Sequence, residues 1–377
     1  MDVKVIGTHS GPFHADDVMA CALLQLHPEF KNAKIERSRE EGVLEKCDIV
    51  LDVGGKFGHE ERRYDHHQAD FVLTMEQLSR GEIKSKVKLS SAGLIFFYYG
   101  QEIIREHFEL EELEHRSKIN WIWKKIYFTL IREIDLIDNT GSVQGDIKTG
   151  FTTRVGRLNP DWGDPDPDFD HCFSRAVDIA SEEFISNLKT MESQWRAKLA
   201  VTDKVLKRYE DHSSGRVLIF EKHTMWNSII GEVEEDLGIE GKMLFVVNPR
   251  PENNEFSVSI VHRRCLFPIQ WRGVREEELK KETRLAGAKF VHSGGHLAIL
   301  RNKEDALTLV DMMLEKHDYS SVSERNSVIE KLKDMRLREA ESSGFSKTAG
   351  VWRRGGGAWR KGRDTDGRGG DRRTLHS

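Results

Sequence analysis

The sequence contains little cysteine and no long apolar run. Its four cysteines, Cys21, Cys47, Cys172 and Cys265, stand apart. Because no C-x-x-C pair occurs, neither a zinc knuckle nor a disulfide framework is indicated. No apolar stretch approaches the roughly 18 residues of a membrane span. An apolar strand at Val3–Ile6 leaves no room for a signal or transit peptide before it. We therefore expect an intracellular protein with no membrane partner.

Several common catalytic motifs are also missing. The sequence has no G-x-S-x-G, no H-E-x-x-H and no Walker A lysine loop, which argues against serine hydrolases, zincin proteases and P-loop nucleotidases. A chain of 377 residues, 38% hydrophobic and 32% charged, suggests a globular protein with two domains. The net charge of -5 does not identify a partner, since a nucleic-acid enzyme can keep its positive charge local.

A polar loop containing His9, His14, Asp16 and Asp17 follows the first strand. The helical stretch Val18–Leu24 comes next, so the pattern is strand, loop, helix. Open α/β sheets bind ligands at the carboxyl ends of their strands, which is where this loop lies. The aspartates are also suitable as charges at a helix N-terminus. That role leaves the two histidines beside them unexplained.

Two later segments place further metal-capable side chains after predicted strands. Asp52 interrupts the apolar strand Ile49–Val53 before two glycines, and a buried carboxylate is costly unless it is paired or metal-bound. Asp65, His66 and His67 stand in a row. Neighbours on a strand or helix cannot all face one point, so we place these three at a strand end or turn. A turn aspartate and a chance histidine pair are the alternatives.

Two helices complete the first part of the chain. Ser90 or Ser91 is the expected cap of the first. Apolar residues spaced near 3.6 predict one amphipathic helix over Trp121–Ile137. Asp135 and Asp138 lie at its end, three residues apart and on one face. Carboxylates match the C-terminal helix dipole poorly, which favours a functional role for them.

We predict an α/β fold with two domains. The first has a mainly parallel sheet flanked by helices, and the second is a smaller mixed α/β domain. Beyond these, the glycine- and arginine-rich end has too few aliphatic residues to fold; such tails can bind RNA, or the tail has no role. The predicted segments are a metal-binding catalytic domain at 1–150, a linker at 151–172, a substrate-binding domain at 173–320, a charged helical segment at 321–345 and a disordered tail at 346–377.

The predicted imidazoles and carboxylates have the composition of a metal site. A mixed His/Asp set suits Mn²⁺, Zn²⁺ or Fe²⁺, whereas Mg²⁺ more often takes carboxylates and waters. A pair of ions can activate water and stabilise the leaving oxygen in a displacement on phosphorus. The number of candidates suits two ions better than one, although chance accumulation of polar loop residues is the alternative. The candidates are His9, His14, Asp16, Asp52, Asp65, His66, His67, Asp135 and Asp138.

These residues resemble the DHH phosphoesterase superfamily of manganese-dependent phosphohydrolases. Within it, six motifs in order over roughly residues 3–316 resemble the Myg family, the melanocyte-proliferating-gene type. His14 stands where the superfamily generally has an aspartate. The motifs are Gly7-Thr8-His9 with Phe13-His14-Ala15-Asp16, Asp52-Val53-Gly54-Gly55, Arg63-Tyr64-Asp65-His66-His67-Gln68, Leu89-Ser90-Ser91-Ala92-Gly93-Leu94-Ile95, Arg157-Leu158-Asn159-Pro160 with Trp162, and Trp271-Arg272-Gly273.

The resemblance implies a role for each site residue. Asp65, His66 and His67 would be catalytic, with Asp65 a metal ligand or the residue that orients a histidine and His67 facing the scissile phosphate. The expected ions are two Mn²⁺, with Mg²⁺ or Zn²⁺ as alternatives. The implied metal ligands are His9, His14, Asp16, Asp52, His66 and either Asp135 or Asp138. Candidates for holding substrate phosphates, together with His67, are Arg272, His292, Ser293, Gly294, Gly295 and His296.

The activity implied by the family is 3′-to-5′ exoribonuclease, acting on single-stranded RNA in nucleus and mitochondria. We expect the nucleus and cytoplasm for this chain, because no transit peptide is visible. One rival interpretation is a phosphohydrolase of a small substrate, such as pyrophosphate or a short dinucleotide. Another is a non-catalytic RNA-binding or regulatory protein that has kept the fold.

Overall fold

Five short strands near the start of the chain form the first sheet. A computed structural model describes residues 3–141 and 149–316. The strand Ile49–Leu51 is buried at all three positions, as expected for a short apolar run in the middle of a parallel sheet. The strands are β1 (Val5–Thr8), β2 (Lys34–Arg37), β3 (Ile49–Leu51), β4 (Phe57–Gly58) and β5 (Arg63–Tyr64).

The order of these strands brings several carboxyl ends to one edge. In space the order is β2-β1-β3-β5-β4. The pairs β1–β2, β1–β3 and β3–β5 are parallel, and only the edge strand β4 is antiparallel to its neighbour β5. Since β1, β3 and β5 run side by side in the same direction, the residues that follow them are neighbours.

Helices cover this sheet and connect it to the second half of the chain. The first helix, Ala15–Leu26, is buried over nearly all of its length. Its stretch from Val18 to Leu24 is apolar on every side, as expected for a buried helix, and the helix packs against Ser91–His107 and Phe169–Leu206. The helices up to residue 211 are α1 (Ala15–Leu26), α2 (Glu41–Leu44), α3 (Met75–Leu78), α4 (Ser91–His107), α5 (Glu112–Ile126), α6 (Arg132–Thr140), α7 (Phe151–Gly156), α8 (Phe169–Leu206) and α9 (Arg208–Asp211).

A second five-stranded sheet follows, with the spatial order β6-β7-β8-β10-β9. Only β6 and β7 are parallel, and the other pairs are antiparallel. The strands are β6 (Val217–Ile219), β7 (Phe245–Arg250), β8 (Glu255–Ile260), β9 (Ala288–Val291) and β10 (Leu297–Leu300). The remaining helices are α10 (Ile230–Asp236), α11 (Glu276–Thr283) and α12 (Lys303–Lys316), with 3₁₀ turns at Arg263–Cys265 and Ile269–Trp271.

The predicted α/β class with two sheets is confirmed, and both sheets are mixed. The two sheets fall in one compact unit, Met1–Tyr319, and the proposed boundaries at 150 and 172 stay predictions. The segments predicted at 321–345 and 346–377 lie outside the described residues. Within the described ranges, no helix has both the length and the apolarity needed to cross a bilayer.

The helix predicted over Trp121–Ile137 is confirmed, although it is not α-helical throughout. A π-helical turn at Tyr127–Ile131 separates α5 from α6. Hydrophobic spacing did not reveal the turn because Tyr127, Leu130 and Ile131 are buried all the same. Single π turns inside helices occur frequently at functional sites, and this one directly precedes the helix that carries Asp135 and Asp138.

Candidate metal centre

A cavity of about 790 Å³ lies at the carboxyl ends of β1, β3 and β5. His9 follows β1, Asp52 follows β3, and the run Asp65 to His67 follows β5. The N-terminal turn of α1 and the last turn of α6 supply the opposite wall. The residues that line the cavity are His9, His14, Ala15, Asp16, Arg39, Asp52, Val53, Gly54, Asp65, His66, His67, Lys88, Ile134, Ile137, Asp138, Asn139, Gly141 and Thr152.

Three overlapping groups of these side chains could each hold a metal ion. Within each group the ligand atoms lie within 4.8 Å of one another, and Asp52 belongs to two groups. Aspartate and histidine both bind divalent metals, and a shared carboxylate allows two ions to lie close together. The groups are His9 with His14, Asp17 and Asp52; Asp52 with His66 and His67; and Asp16 with His66 and Asp138.

His66 lies at the centre of the carboxylates. Its Nε2 is 3.1 Å from Oδ2 of Asp138 and 3.3 Å from Oδ1 of Asp52. The same nitrogen is 3.5 Å from Oδ2 of Asp16. Burial alone would lower the pKa of His66, but the carboxylates of Asp138, Asp52 and Asp16 outweigh burial and raise this pKa to about 10. The site therefore strongly favours a positive charge at this point.

His9 has a similar electrostatic environment at the end of β1, on the other side of β3. Its Nε2 lies 3.2 Å from Oδ2 of Asp17 and 3.4 Å from Oδ2 of Asp52. Burial opposes protonation, yet the two carboxylates raise the pKa of His9 to about 10. Burial also opposes ionisation of Asp52, but the imidazoles of His66 and His9 hold the pKa of Asp52 well below its usual range. Asp52 is therefore a carboxylate between two cationic sites.

The pKa of Asp16 indicates that the site contains more negative than positive charge. Burial, and then the neighbouring carboxylates of Asp52 and Asp138, raise the pKa of Asp16 well above its usual range. Packing several carboxylates into a buried site is unfavourable unless cations compensate them. A bound divalent ion would supply that compensation.

Several buried atoms at the site point to the same requirement. Oδ2 of Asp17, Oδ1 of Asp52 and both ring nitrogens of His66 have no hydrogen-bond partner among the residues that the structure describes. Buried polar atoms of this kind are rare, and a bound ion is one of their ordinary explanations. The donors, their burial and their spacing all fit a divalent metal.

The backbone at Asp52 has an unusual conformation. Its φ is 54°, in the left-handed region that few residues other than glycine adopt. Aspartate and asparagine tolerate this region better than other side chains. Gly54 and Gly55 follow, also at positive φ. The Asp-Val-Gly-Gly motif thus bends the chain sharply where β3 ends, and the carboxylate enters the cavity at the bend.

Asp65 orients its neighbours and belongs to none of the three metal-ligand groups. Its Oδ1 accepts hydrogen bonds from Nδ1 of His67 at 2.8 Å and from the His67 backbone N–H at 3.1 Å. Its Oδ2 accepts from the Gly55 N–H at 2.6 Å. Of the two roles that the sequence left open, this geometry favours orientation of a histidine.

We expect Asp65→Asn to lower the rate of hydrolysis by about 10–100-fold while metal affinity changes only a few-fold. The amide oxygen of asparagine can still accept a hydrogen bond from His67, but its NH₂ group would face the Gly55 N–H and lose that hydrogen bond. Rate losses of this size are typical when a residue that orients a metal ligand is replaced. Turnover and calorimetric metal titration would be compared with the exposed Asp70→Asn as control. A rate loss that merely follows a parallel loss of metal affinity would contradict the orienting role.

Asp135 lies outside the cavity, although it is fully buried. Its Oδ1 accepts from the N–H and the hydroxyl of Ser90, both at 2.9 Å. Oδ2 of Asp16 accepts from the Ser91 N–H at 3.0 Å, and the Ser91 hydroxyl donates to the Tyr64 carbonyl at 2.7 Å. The start of α4 therefore ties together α1, the end of β5 and α6. Of the alternatives Asp135 and Asp138, only Asp138 lines the cavity.

Two contributors to the site were not predicted as such. Asp17 was placed in the ligand-binding loop but was not among the predicted metal ligands; its position directly after His14-Ala15-Asp16 was the available signal. Asn159 holds the loop before His14, because its side chain accepts from the Phe13 N–H and donates to the Phe13 carbonyl, both at 2.9 Å. No local pattern reveals a contact between residues 146 positions apart.

The residues predicted to hold substrate phosphates in the second half form their own group. Nε of Arg272 donates to the Phe267 carbonyl at 2.8 Å. The rings of His292 and His296 lie 4.4 Å apart, at the turn between β9 and β10. In the described part of the chain, the lining of the 790 Å³ cavity comes from residues 9 to 152. Of the residues predicted to bind phosphate, His67 lines this cavity, whereas Arg272 and the turn at 292–296 do not. The role of that turn stays a prediction.

The fold and the cavity define an α/β protein with a candidate centre for divalent metal ions. A family model described as "Uncharacterised protein family (UPF0160)", MYG1_exonuc, matches residues 5–314. The chain is 34% identical to the human MYG1 exonuclease over 329 residues, which is 83% of this chain and 86% of that protein. It is 33% identical to a Caenorhabditis elegans MYG1 protein over 328 residues, 83% of this chain and 95% of the other. The chain belongs to this MYG1 family.

A solved structure was also compared with the chain. RecJ from Thermus thermophilus, in complex with Mg²⁺, matches with a TM-score of 0.21 and 12% identity. The match covers 83% of this chain and 49% of RecJ, so the chain spans about half the length of that protein. A likeness at this TM-score supports no conclusion about the fold or the metal.

Proposed function

We propose that this protein is a 3′-to-5′ exoribonuclease that hydrolyses single-stranded RNA with two bound divalent metal ions, Mn²⁺ being the best candidate. The observation that carries the proposal is the sharing of Asp52 between two ligand groups in one open cavity. The name of the human relative, MYG1 exonuclease, supports a nuclease. The presence of imidazoles in both groups favours Mn²⁺ or Zn²⁺ over Mg²⁺.

Each ion would have its own ligands. His9, His14, Asp17 and Asp52 would hold one ion. The two groups that share His66 would supply ligands for the other, one with Asp52 and His67 and one with Asp16 and Asp138. Such ions lower the pKa of water and neutralise charge on a phosphate that is under attack. The remaining chemistry concerns the side chains that meet the substrate.

His67 and two cations at the cavity rim are available to bind the scissile phosphate. The His67 side chain is 64% exposed, and Asp65 holds its Nδ1, so the orientation of the ring is set before substrate arrives. Arg39 and Lys88 also line the cavity. A cationic donor beside a buried carboxylate site lets an anionic phosphodiester approach charges that would otherwise repel it.

The test is digestion of single-stranded RNA labelled at its 5′ end by metal-stripped protein, with Mn²⁺ then restored. We expect a ladder of products shortened one nucleotide at a time from the 3′ end, which depends on the metal. A matched DNA strand and an RNA with a blocked 3′ end serve as controls. Equal cleavage of the blocked strand would contradict the polarity, and preference for DNA would contradict the RNA substrate. Cleavage of pyrophosphate or dinucleotides alone would favour a small-substrate phosphohydrolase.

A further inference from the structure

A smaller cavity of about 230 Å³ adjoins the metal centre. It shares Arg39, Val53 and Gly54 with the larger cavity, so the two are contiguous. Its volume is below the roughly 300–1,000 Å³ of sites that enclose a whole small ligand, which suits it to one part of a larger molecule. The residues that line it are Arg39, Glu41, Leu44, Glu45, Val50, Val53, Gly54, Lys56 and Arg63.

Cations outnumber carboxylates in the smaller cavity, which is lined by three basic and two acidic side chains. Nη2 of Arg39 lies 3.2 Å from Nδ1 of His9, and within residues 3–141 and 149–316 no ion pair joins Arg39 or Arg63 to a carboxylate. Lys56 lies 3.6 Å from Glu41, but their side chains are 69% and 78% exposed, and exposed pairs of this kind contribute little. Glu45 is the other acidic residue in the lining. An arriving phosphate can displace the weak Lys56–Glu41 pair.

Two of these cations, Lys56 and Arg63, lie on backbone segments that adjoin Asp65 of the metal centre. The Lys56 carbonyl accepts a hydrogen bond from the Asp65 N–H at 3.1 Å. Arg63 precedes Asp65 by two residues, and its guanidinium donates to the carbonyls of Arg62 at 3.2 Å and Cys47 at 3.4 Å. Because these carbonyl oxygens carry no formal charge, the hydrogen bonds orient the guanidinium without neutralising it.

The rest of the lining is apolar. Leu44 and Val50 are buried members of a small hydrophobic cluster, and Val53 packs against it. An apolar surface beside cationic side chains is complementary to a nucleotide unit, in which the apolar face of the sugar adjoins a charged phosphate. Arginine binds phosphate bidentately and is favoured wherever phosphates are recognised.

We propose that Lys56 and Arg63, together with Arg39, which lines both cavities, form a subsite for the sugar-phosphate unit next to the scissile phosphate of a nucleic-acid strand. The proposal rests on the proposed nuclease function, and it assigns strand binding to residues beside the catalytic cavity. It explains how the enzyme would hold a polymer: the metal centre engages one phosphodiester, and the basic subsite engages the next along the strand.

The experiment compares full-length Lys56→Gln/Arg63→Gln with the matched control Lys31→Gln/Lys34→Gln, which removes two exposed cations outside both cavities. One measurement is the ratio of kcat/KM for a ten-nucleotide RNA to kcat/KM for bis(p-nitrophenyl) phosphate, with Mn²⁺ present. The other is the salt dependence of RNA binding by metal-free protein. Lys56→Gln alone is included because Lys56 is exposed and its loss does not threaten the fold.

We expect the double variant to lower the kcat/KM ratio about tenfold, chiefly through KM. The slope of log K against log salt should become shallower by about 0.7, the value for one phosphate on a single strand. Lys56→Gln should show a smaller change in the same direction. Wild-type values in all three variants, or an equal change in the control, would overturn the subsite. If wild-type protein cleaves the ester but neither binds nor cleaves RNA, the proposed function fails and the subsite fails with it.

Discussion

Asp52→Asn should reduce metal-dependent hydrolysis at least about a thousandfold and weaken metal binding about a hundredfold or more. Asp52 is the carboxylate common to two ligand groups, and it lies within 3.4 Å of ring nitrogens of both His9 and His66. A metal supplies several kcal/mol of transition-state stabilisation, and about 4 kcal/mol corresponds to a thousandfold in rate. The loss of one shared charge should therefore affect both ions.

Asparagine is the informative replacement at this position. It keeps the shape of the side chain and tolerates the left-handed φ of 54°, whereas alanine would add backbone strain. Calorimetric titration with Mn²⁺ and turnover at saturating metal would be measured together, with the exposed Asp178→Asn as the control. Activity that returns fully at high Mn²⁺ would show that Asp52 contributes only affinity. Unchanged affinity would remove it from the ligand set.

Gly93→Ala should lower the free energy of unfolding by about 2–4 kcal/mol. A Cβ at this position would overlap Oδ1 of Asp135 and lie 2.8 Å from its Oδ2. The carboxylate is fully buried and held by Ser90, so it cannot move into solvent. Overpacking of a core costs about 1–3 kcal/mol, and a disturbed buried hydrogen bond adds a similar amount.

The same substitution should weaken the metal centre. A shift at the start of α4 would disturb the Ser91 N–H that donates to Asp16, so we expect Mn²⁺ to stabilise Gly93→Ala less than wild type in denaturant titrations. Gly231→Ala is the matched control, because it lies near the start of α10 with no atom within 4 Å of an added Cβ. It should be neutral or slightly stabilising. Equal unfolding midpoints for the two variants would contradict the packing argument.

Part of the first sheet could be predicted from local pattern. Short apolar runs at Val3–Ile6 and Ile49–Val53 identified β1 and β3. The π turn at Tyr127–Ile131 was not visible, because an extra residue in one turn leaves the buried positions apolar. β10 was not predicted either; its four residues, Leu297–Leu300, acquire their register only from β8 and β9.

The sequence by itself predicted the types of side chain that line the candidate metal centre. Histidines and aspartates follow the apolar strands in the sequence, and parallel strands bring such residues to one edge of the sheet. Only the tertiary structure decided which carboxylates line the cavity and which support the surrounding helices. Asp135 and Asp138 are equivalent in local pattern, yet Asp138 lines the cavity while Asp135 holds the start of α4. The physical reason is that ligand sets and contiguous cavities depend on distances between residues far apart in the chain, and sequence spacing does not encode these distances.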